Sequence, residues 1–175
     1  GALAGARPHL MAPMVSTLED VALLREIVAD ALASLDAEAA SRAEALVVGI
    51  MIEVPSAALC APELAAEVDF FSVGSNDLTQ YVLAMDRTNA RLAAVADALH
   101  PAVLRAIRAT VDGADRAEIP VAVCGELAAD PLGAAVLVGL GVDELSMDAG
   151  GLDAVRLLLS RVTSAQLRDL AAEAL

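Results

Sequence analysis

Glu53, Asn76, Asp77, Arg87 and Cys124 are the residues of this chain whose types and settings can do chemistry together. Glu53 directly follows the apolar run Val47-Val48-Gly49-Ile50-Met51-Ile52. A carboxylate at the end of so apolar a segment is costly unless it is paired or metal-bound. Asn76 and Asp77 lie just past a second run, Phe70-Phe71-Ser72-Val73, within Gly74-Ser75-Asn76-Asp77-Leu78, and Arg87 follows beside Asp86. A carboxylate, an amide and a guanidinium at a strand end suit a metal ion and a phosphate rather than a core. Two hard oxygen ligands from adjacent strands fit Mg²⁺, which keeps its waters and completes its shell from substrate phosphate or carboxylate. The guanidinium can grip either anion bidentately.

Each residue also has a plainer reading. Glu53 and Asp77 could each cap the helix that follows. Arg87 could pair with Asp86 on the surface. Cys124 ends Val121-Ala122-Val123-Cys124 and leads into Gly125-Glu126-Leu127. It could be a packed thiol, or an acid or nucleophile at a polar strand tip, with Gly125 allowing a sharp turn. His100 precedes Pro101 at a helix start and reads as a cap. His9 opens a strand at the end away from the site, and Cys60 reads as helix packing. No catalytic role is assigned to these three.

The elements that must position this set alternate as strand and helix, five times. The strands are expected at His9–Met14, Leu46–Ile52, Phe70–Val73, Val121–Cys124 and Glu144–Met147. Helices are expected through Val21–Leu32, from a capping box at Ser16 and Glu19, and over about Ser56–Ala66. Others begin at Pro101 and Pro131, where a first turn tolerates proline. The last two follow Gly151 and Thr163, the latter with a second capping box to Gln166. Such alternation predicts an α/β fold with a parallel sheet and right-handed crossovers. Glu53, Asn76, Asp77, Cys124 and Glu126 then fall at or just past the carboxyl ends of strands, the edge where ligands bind in barrels and open sheets alike.

Composition narrows the class. The 175 residues are 58% hydrophobic but only 2% aromatic, so Ala, Val, Leu and Ile must fill the core, as in strands covered by helices. One domain is expected. With 11 basic against 25 acidic residues the net charge is −14. No basic stripe or stacking platform is present, which argues against nucleic acid. A phosphorylated ligand would need local arginine and a divalent cation to overcome the global field. No apolar stretch is long and pure enough to cross a bilayer, and no secretory signal is visible. The two cysteines, Cys60 and Cys124, form no metal or disulfide pattern. A reducing, cytoplasmic setting is the default expectation.

Four blocks of the sequence resemble one family. Ile52-Glu53-Val54-Pro55-Ser56-Ala57 is similar to its Val-Glu-Thr-Pro-Ala-Ala segment. The run from Asp69 through Phe70-Phe71-Ser72-Val73-Gly74-Ser75-Asn76-Asp77-Leu78-Thr79-Gln80-Tyr81, followed by Asp86-Arg87, is similar to its most diagnostic stretch. Cys124-Gly125-Glu126-Leu127-Ala128 and Glu144-Leu145-Ser146-Met147 supply the third and fourth. The family is Enzyme I of the bacterial phosphoenolpyruvate:sugar phosphotransferase system, with pyruvate phosphate dikinase and phosphoenolpyruvate synthase as more distant relatives. The resemblance covers nearly the whole chain.

The resemblance implies a partial TIM-type (β/α) barrel, about the last five strands of the phosphoenolpyruvate/pyruvate-binding domain, spanning residues 1–175. It implies that Glu53 and Asp77 ligate Mg²⁺. Asn76, the Asp77 backbone and Arg87 would hold phosphoenolpyruvate. Cys124 would protonate the enolate methylene as pyruvate forms. It further implies a histidine-containing phosphocarrier protein as partner of the full-length enzyme, a role in sugar uptake, and a homodimer.

The departures matter too. Nothing here resembles the domain bearing the phosphoryl-accepting histidine. Family barrels have eight strands and need about 250 residues or more, and Gly1–Arg7 reads as the tail of the helix before strand four. The arginines of earlier strands are therefore missing from the chain. Ser56 and Ala129 replace the family's Ala and Gly, the second altering the loop after Cys124. The expectation is a chain that cannot complete phosphotransfer alone. Its unpaired edges, at Leu10–Met14 and Glu144–Met147, would invite association. Two competing readings are a non-catalytic dimerisation or assembly module and an ordinary five-stranded doubly wound protein.

Overall fold

The apolar runs do form strands, and proline, glycine and side-chain caps punctuate them. A computed structural model of the protein describes residues 7–36, 39, 45–86, 88–93 and 96–175. Arg87 and Gly1–Ala6 lie outside the described residues. The strands are β1 (His9–Ala12), β2 (Val47–Ile52), β3 (Phe70–Gly74), β4 (Val121–Cys124) and β5 (Glu144–Leu145). They form one sheet in the order β1-β2-β3-β4-β5, every pair parallel. Between and after them come α1 (Leu18–Ala33), α2 (Pro55–Leu59), α3 (Ala61–Ala65), α4 (Ser75–Val82), α5 (Ala90–Ala93), α6 (Pro101–Ala117), α7 (Glu126–Ala129), α8 (Pro131–Leu140), α9 (Ala149–Leu159) and α10 (Ser164–Ala174).

The strand order decides between the two α/β architectures. A doubly wound sheet reverses its strand order at a switch point, which sends helices to both faces. Here the order never reverses, so crossovers of one hand put every helix on one side. Ile50, Ile52, Phe71, Val73, Val121 and Val123 point to that side and are buried. The alternate residues point the other way. Met11, Phe70, Ser72, Ala122, Cys124 and Ser146 line an open cavity of about 430 Å³. The fold is thus an α/β sheet of five parallel strands in sequential order, consistent with part of a (β/α) barrel and not with the doubly wound alternative.

Several boundaries differ from expectation for local reasons. β1 stops at Ala12 because Pro13 has no N–H to continue the ladder. The α1 capping box is built one residue later than expected. Thr17 caps, its hydroxyl accepting from the Asp20 N–H, while Asp20 Oδ2 takes the N–H groups of Ser16 and Thr17 at 2.9 and 3.0 Å. The single helix expected over 56–66 is two, broken at Cys60. Pro62 explains the break, since its ring would strike the Ala58 carbonyl in a continuous helix. Cys60 is exposed at that joint and does not pack as expected. β5 is only two residues long, and α9 begins at Ala149, where Asp148 caps the Gly151 N–H at 3.1 Å. The Thr163–Gln166 capping box and the His100 cap, with Nδ1 accepting from the Ala102 N–H, form as expected.

The capping geometry carries a pH dependence. The N–H of Ser16, then that of Thr17, hold the Asp20 carboxyl below the usual carboxylate range, with the Thr17 hydroxyl adding to the effect. A depressed folded-state pKa contributes stability above the unfolded value and loses it as pH falls through the folded one. Asp20→Asn is therefore expected to be less stable than the parent at pH 5–7. That difference should shrink as pH falls below about 4. Urea melts of both proteins between pH 3 and 7 measure it, and a gap that stays constant to pH 3 refutes it.

Candidate functional site

The carboxyl ends of β2, β3 and β4 carry the described candidate residues. Glu53 follows β2 directly and is only 4% exposed. Its Oε1 accepts a 2.7 Å hydrogen bond from the Met14 N–H, so the loop after β1 is stapled to this carboxylate. Met14 itself adopts a left-handed conformation, φ 57°, which turns the chain after Pro13. Oε2 lies over Gly74, where an added Cβ would sit 2.8 Å away. The absence of a side chain at Gly74 is what leaves that oxygen its space.

The Asn-Asp pair lies just past the strand, as expected, but already within a helix. β3 ends at Gly74 and α4 starts at once, so Asn76 and Asp77 occupy the first turn of a helix. Thr79 Oγ1 donates to the Ser75 carbonyl at 2.7 Å within that turn. The change strengthens the anion-binding argument. First-turn N–H groups have no intrahelical partner, and the dipole there is positive. In a chain of net charge −14 such a local donor set is what an anion requires.

Gly74 pairs with Cys124 across β3 and β4, which sets the two strand ends side by side. Asn76 Oδ1 accepts from the Glu126 N–H at 3.2 Å, and Ser75 Oγ donates to the Cys124 carbonyl at 2.7 Å. The Cys124 thiol contacts the Ser72 hydroxyl at 3.9 Å and the Val73 carbonyl at 3.5 Å. It lines the open sheet face, partly accessible, rather than packing beneath the helices. Gly125 turns the chain at φ +103°.

Glu53, Asn76, Asp77 and Cys124 are thus brought to one edge by three neighbouring strands. Arg87 cannot be placed with them, because it lies outside the described residues. Its neighbour Asp86 is engaged by Thr88, whose hydroxyl and N–H both donate to Oδ1, at 2.7 and 2.8 Å. The Thr88 hydroxyl, then its N–H, lowers the Asp86 carboxyl below its ordinary value. His9 lies against the Phe70 ring in a tilted arrangement, centroids 5.2 Å apart, at the opposite end of the sheet.

Among the described residues no three His, Cys, Asp or Glu side chains are grouped to cage a metal ion. Glu53 alone among the described residues is a deeply buried carboxylate, and a cation held by so few protein oxygens would have to draw the rest of its shell from water and substrate, the habit of Mg²⁺. Two contributors were not singled out from sequence. The Met14 N–H was invisible because backbone donors carry no residue signature. Ser75 was readable as a hydroxyl between a strand-ending glycine and the Asn-Asp pair.

Residues 2–164 match the PEP-binding domain of the PEP-utilising enzymes, PEP being phosphoenolpyruvate. The chain is 53% identical over 171 residues to the multiphosphoryl transfer protein of Xanthomonas campestris, covering 98% of this chain and 20% of that protein. It is 46% identical over 167 residues to the phosphoenolpyruvate-protein phosphotransferase of Haloferax volcanii, covering 95% and 29%. Against the protein of the same name from Listeria monocytogenes it is 38% identical over 166 residues, again 95% and 29%. The chain therefore spans between a fifth and just under a third of the length of these relatives.

Proposed function

Since the chain belongs to the PEP-utilising enzymes, through their PEP-binding domain, we propose that it is the PEP-binding part of a phosphotransferase. That enzyme moves the phosphoryl group of PEP to a histidine and on to a histidine-containing phosphocarrier protein, in the service of sugar uptake. Pyruvate is the other product. The observation that carries this reading is the joining of the β3 and β4 ends: Asn76 bonds the residue two beyond Cys124, which supports Asn76 as an anion binder and Cys124 as a proton donor acting in one site.

Glu53 and Asp77 would hold Mg²⁺, which when bound neutralises charge on the phosphate and orients it. Asn76, the first-turn N–H of Asp77 and Arg87 would bind PEP. Transfer breaks the bond between phosphorus and the enol oxygen and forms one to a histidine nitrogen. Charge neutralisation and positioning, rather than covalent help, are what that step needs. The enolate left behind then takes a proton at its methylene from the Cys124 S–H, and the thiolate regains one from water. One positioned acid suffices for this half.

The accepting histidine is assigned to another segment or chain. His100 has Nδ1 in a helix cap, and His9 sits by Phe70 at the wrong end of the sheet. Among the described residues β1 and β5 each pair with one neighbour only, which, with the open sheet face, supports a barrel to which these five strands contribute a part. Unpaired edges also favour association with a second copy. No helix among the described residues is long and apolar enough to cross a membrane.

The test is a thermal melt of the chain with PEP and Mg²⁺ together. A ligand at a hundred times its Kd stabilises by about 2.7 kcal/mol. The joint addition is expected to raise Tm more than either component alone, with no pyruvate released at an enzyme's rate. No shift at millimolar PEP overturns the binding assignment and returns the chain to an assembly role.

A further inference from the structure

Between the carbonyl of Cys124 and the N–H of Glu126 the backbone makes one sharp turn at Gly125, and both flanking groups are gripped from α4. Ser75 Oγ donates to the Cys124 carbonyl at 2.7 Å; Asn76 Oδ1 accepts from the Glu126 N–H at 3.2 Å. Ser75 is 0% exposed, so water cannot replace its hydroxyl as donor. The grip is tight. A Cβ on Gly125 would fall 2.4 Å from Ser75 Oγ and 3.0 Å from Asn76 Oδ1.

We propose that Ser75 is a positioning residue for Cys124: its hydroxyl fixes the peptide immediately behind the thiol, and so the direction from which that thiol faces the site. The geometry has two consequences. The Cys124 carbonyl has no free rotation of its peptide plane while Ser75 holds it, so Sγ stays between the Val73 carbonyl and the Ser72 hydroxyl. The Asn76 amide is oriented by the same turn. Its oxygen is committed to the Glu126 N–H, which leaves its NH₂ donors for an anion. One latch thus places the acid and aims the amide. That the thiol delivers a proton rests on the reading given above. That Ser75 places it does not.

The test reads thiol placement directly. In a Cys60→Ser chain Cys124 is the single thiol, and its second-order alkylation by iodoacetamide is measured under native conditions. Ser75→Ala should free the peptide and raise the rate at least about threefold, while Ser75→Thr, which keeps the hydroxyl, should stay within about twofold of the parent. Equal rates for Ser75→Ala and the parent overturn the proposal, as does a Thr variant that behaves like Ala. Should Ser75→Ala lose its cooperative melt, Gly125→Ala takes its place, because its Cβ displaces the same hydroxyl. An unchanged rate there also overturns it. The PEP melt decides the other question separately: an absent PEP shift with a Ser75-dependent thiol rejects the substrate and keeps the latch.

Discussion

Asp77→Ala should abolish the Mg²⁺-dependent part of the thermal shift produced by PEP. For a protein of this length each 1 kcal/mol moves Tm by about 2–4 °C. A saturating shift of about 2.7 kcal/mol therefore amounts to about 5–11 °C, and the variant should lose nearly all of it. The plainer reading of Asp77, an acid in the first turn of α4, makes a different prediction. A carboxylate there favours the helix by about 0.3–1 kcal/mol. On that reading Asp77→Ala lowers the Tm of the free chain slightly and leaves the ligand response alone. The two readings thus move different quantities, and one pair of melts separates them. Cys124→Ser is the companion, because in the proposed function the thiol would act on the methylene rather than the phosphate. Its ligand response should persist where that of Asp77→Ala vanishes. A full PEP and Mg²⁺ shift in Asp77→Ala removes this residue from the site.

The strands were legible because a sheet covered by helices demands unbroken apolar runs, and Val47–Ile52 and Val121–Cys124 supply them. β4 has the expected limits, whereas β5 was overestimated. Ser146 still donates its N–H to Val123, but the chain then turns toward the Asp148 cap, and such a competition cannot be read from Glu-Leu-Ser-Met alone. The division of the 56–66 helix was legible in principle, since Pro62 stands inside it. The Ser16–Thr17 shift was not, because Ser and Thr are equivalent as caps and only the reach of Asp20 chooses between them.

The site was legible as a set of residue types and less so as a geometry. Glu53, Asn76, Asp77 and Cys124 announce themselves by ending apolar runs with polar groups. Their mutual placement depends on a parallel register that puts Gly74 opposite Cys124, which follows from no local pattern. The grips that hold the site together involve the Met14 N–H, the Glu126 N–H and the Cys124 carbonyl. Main-chain groups occur at every position, so no residue type marks the ones that matter.

Glu53 offers the second large effect, because its burial sets function against stability. The carboxylate is 4% exposed and satisfies the Met14 N–H through one oxygen. Glutamine keeps that acceptor and the side-chain length while removing the charge. If the charge is there to meet a cation, the free chain bears an uncompensated buried carboxylate, and burying a charge without a partner is expensive. Glu53→Gln should then melt at or above the parent temperature without ligand and lose the Mg²⁺-dependent shift entirely. Glu53→Ala separates charge from scaffold. It leaves the Met14 N–H unpartnered beside a cavity, at a cost of about 1–3 kcal/mol, or roughly 2–12 °C at the scaling for this chain length. A purely structural Glu53 predicts the reverse pattern for glutamine: unchanged ligand response, with any loss confined to the free chain. The decisive comparison is therefore Glu53→Gln with and without Mg²⁺ and PEP. A variant that still responds fully to both removes Glu53 from the metal site and leaves it as the staple of the β1 loop.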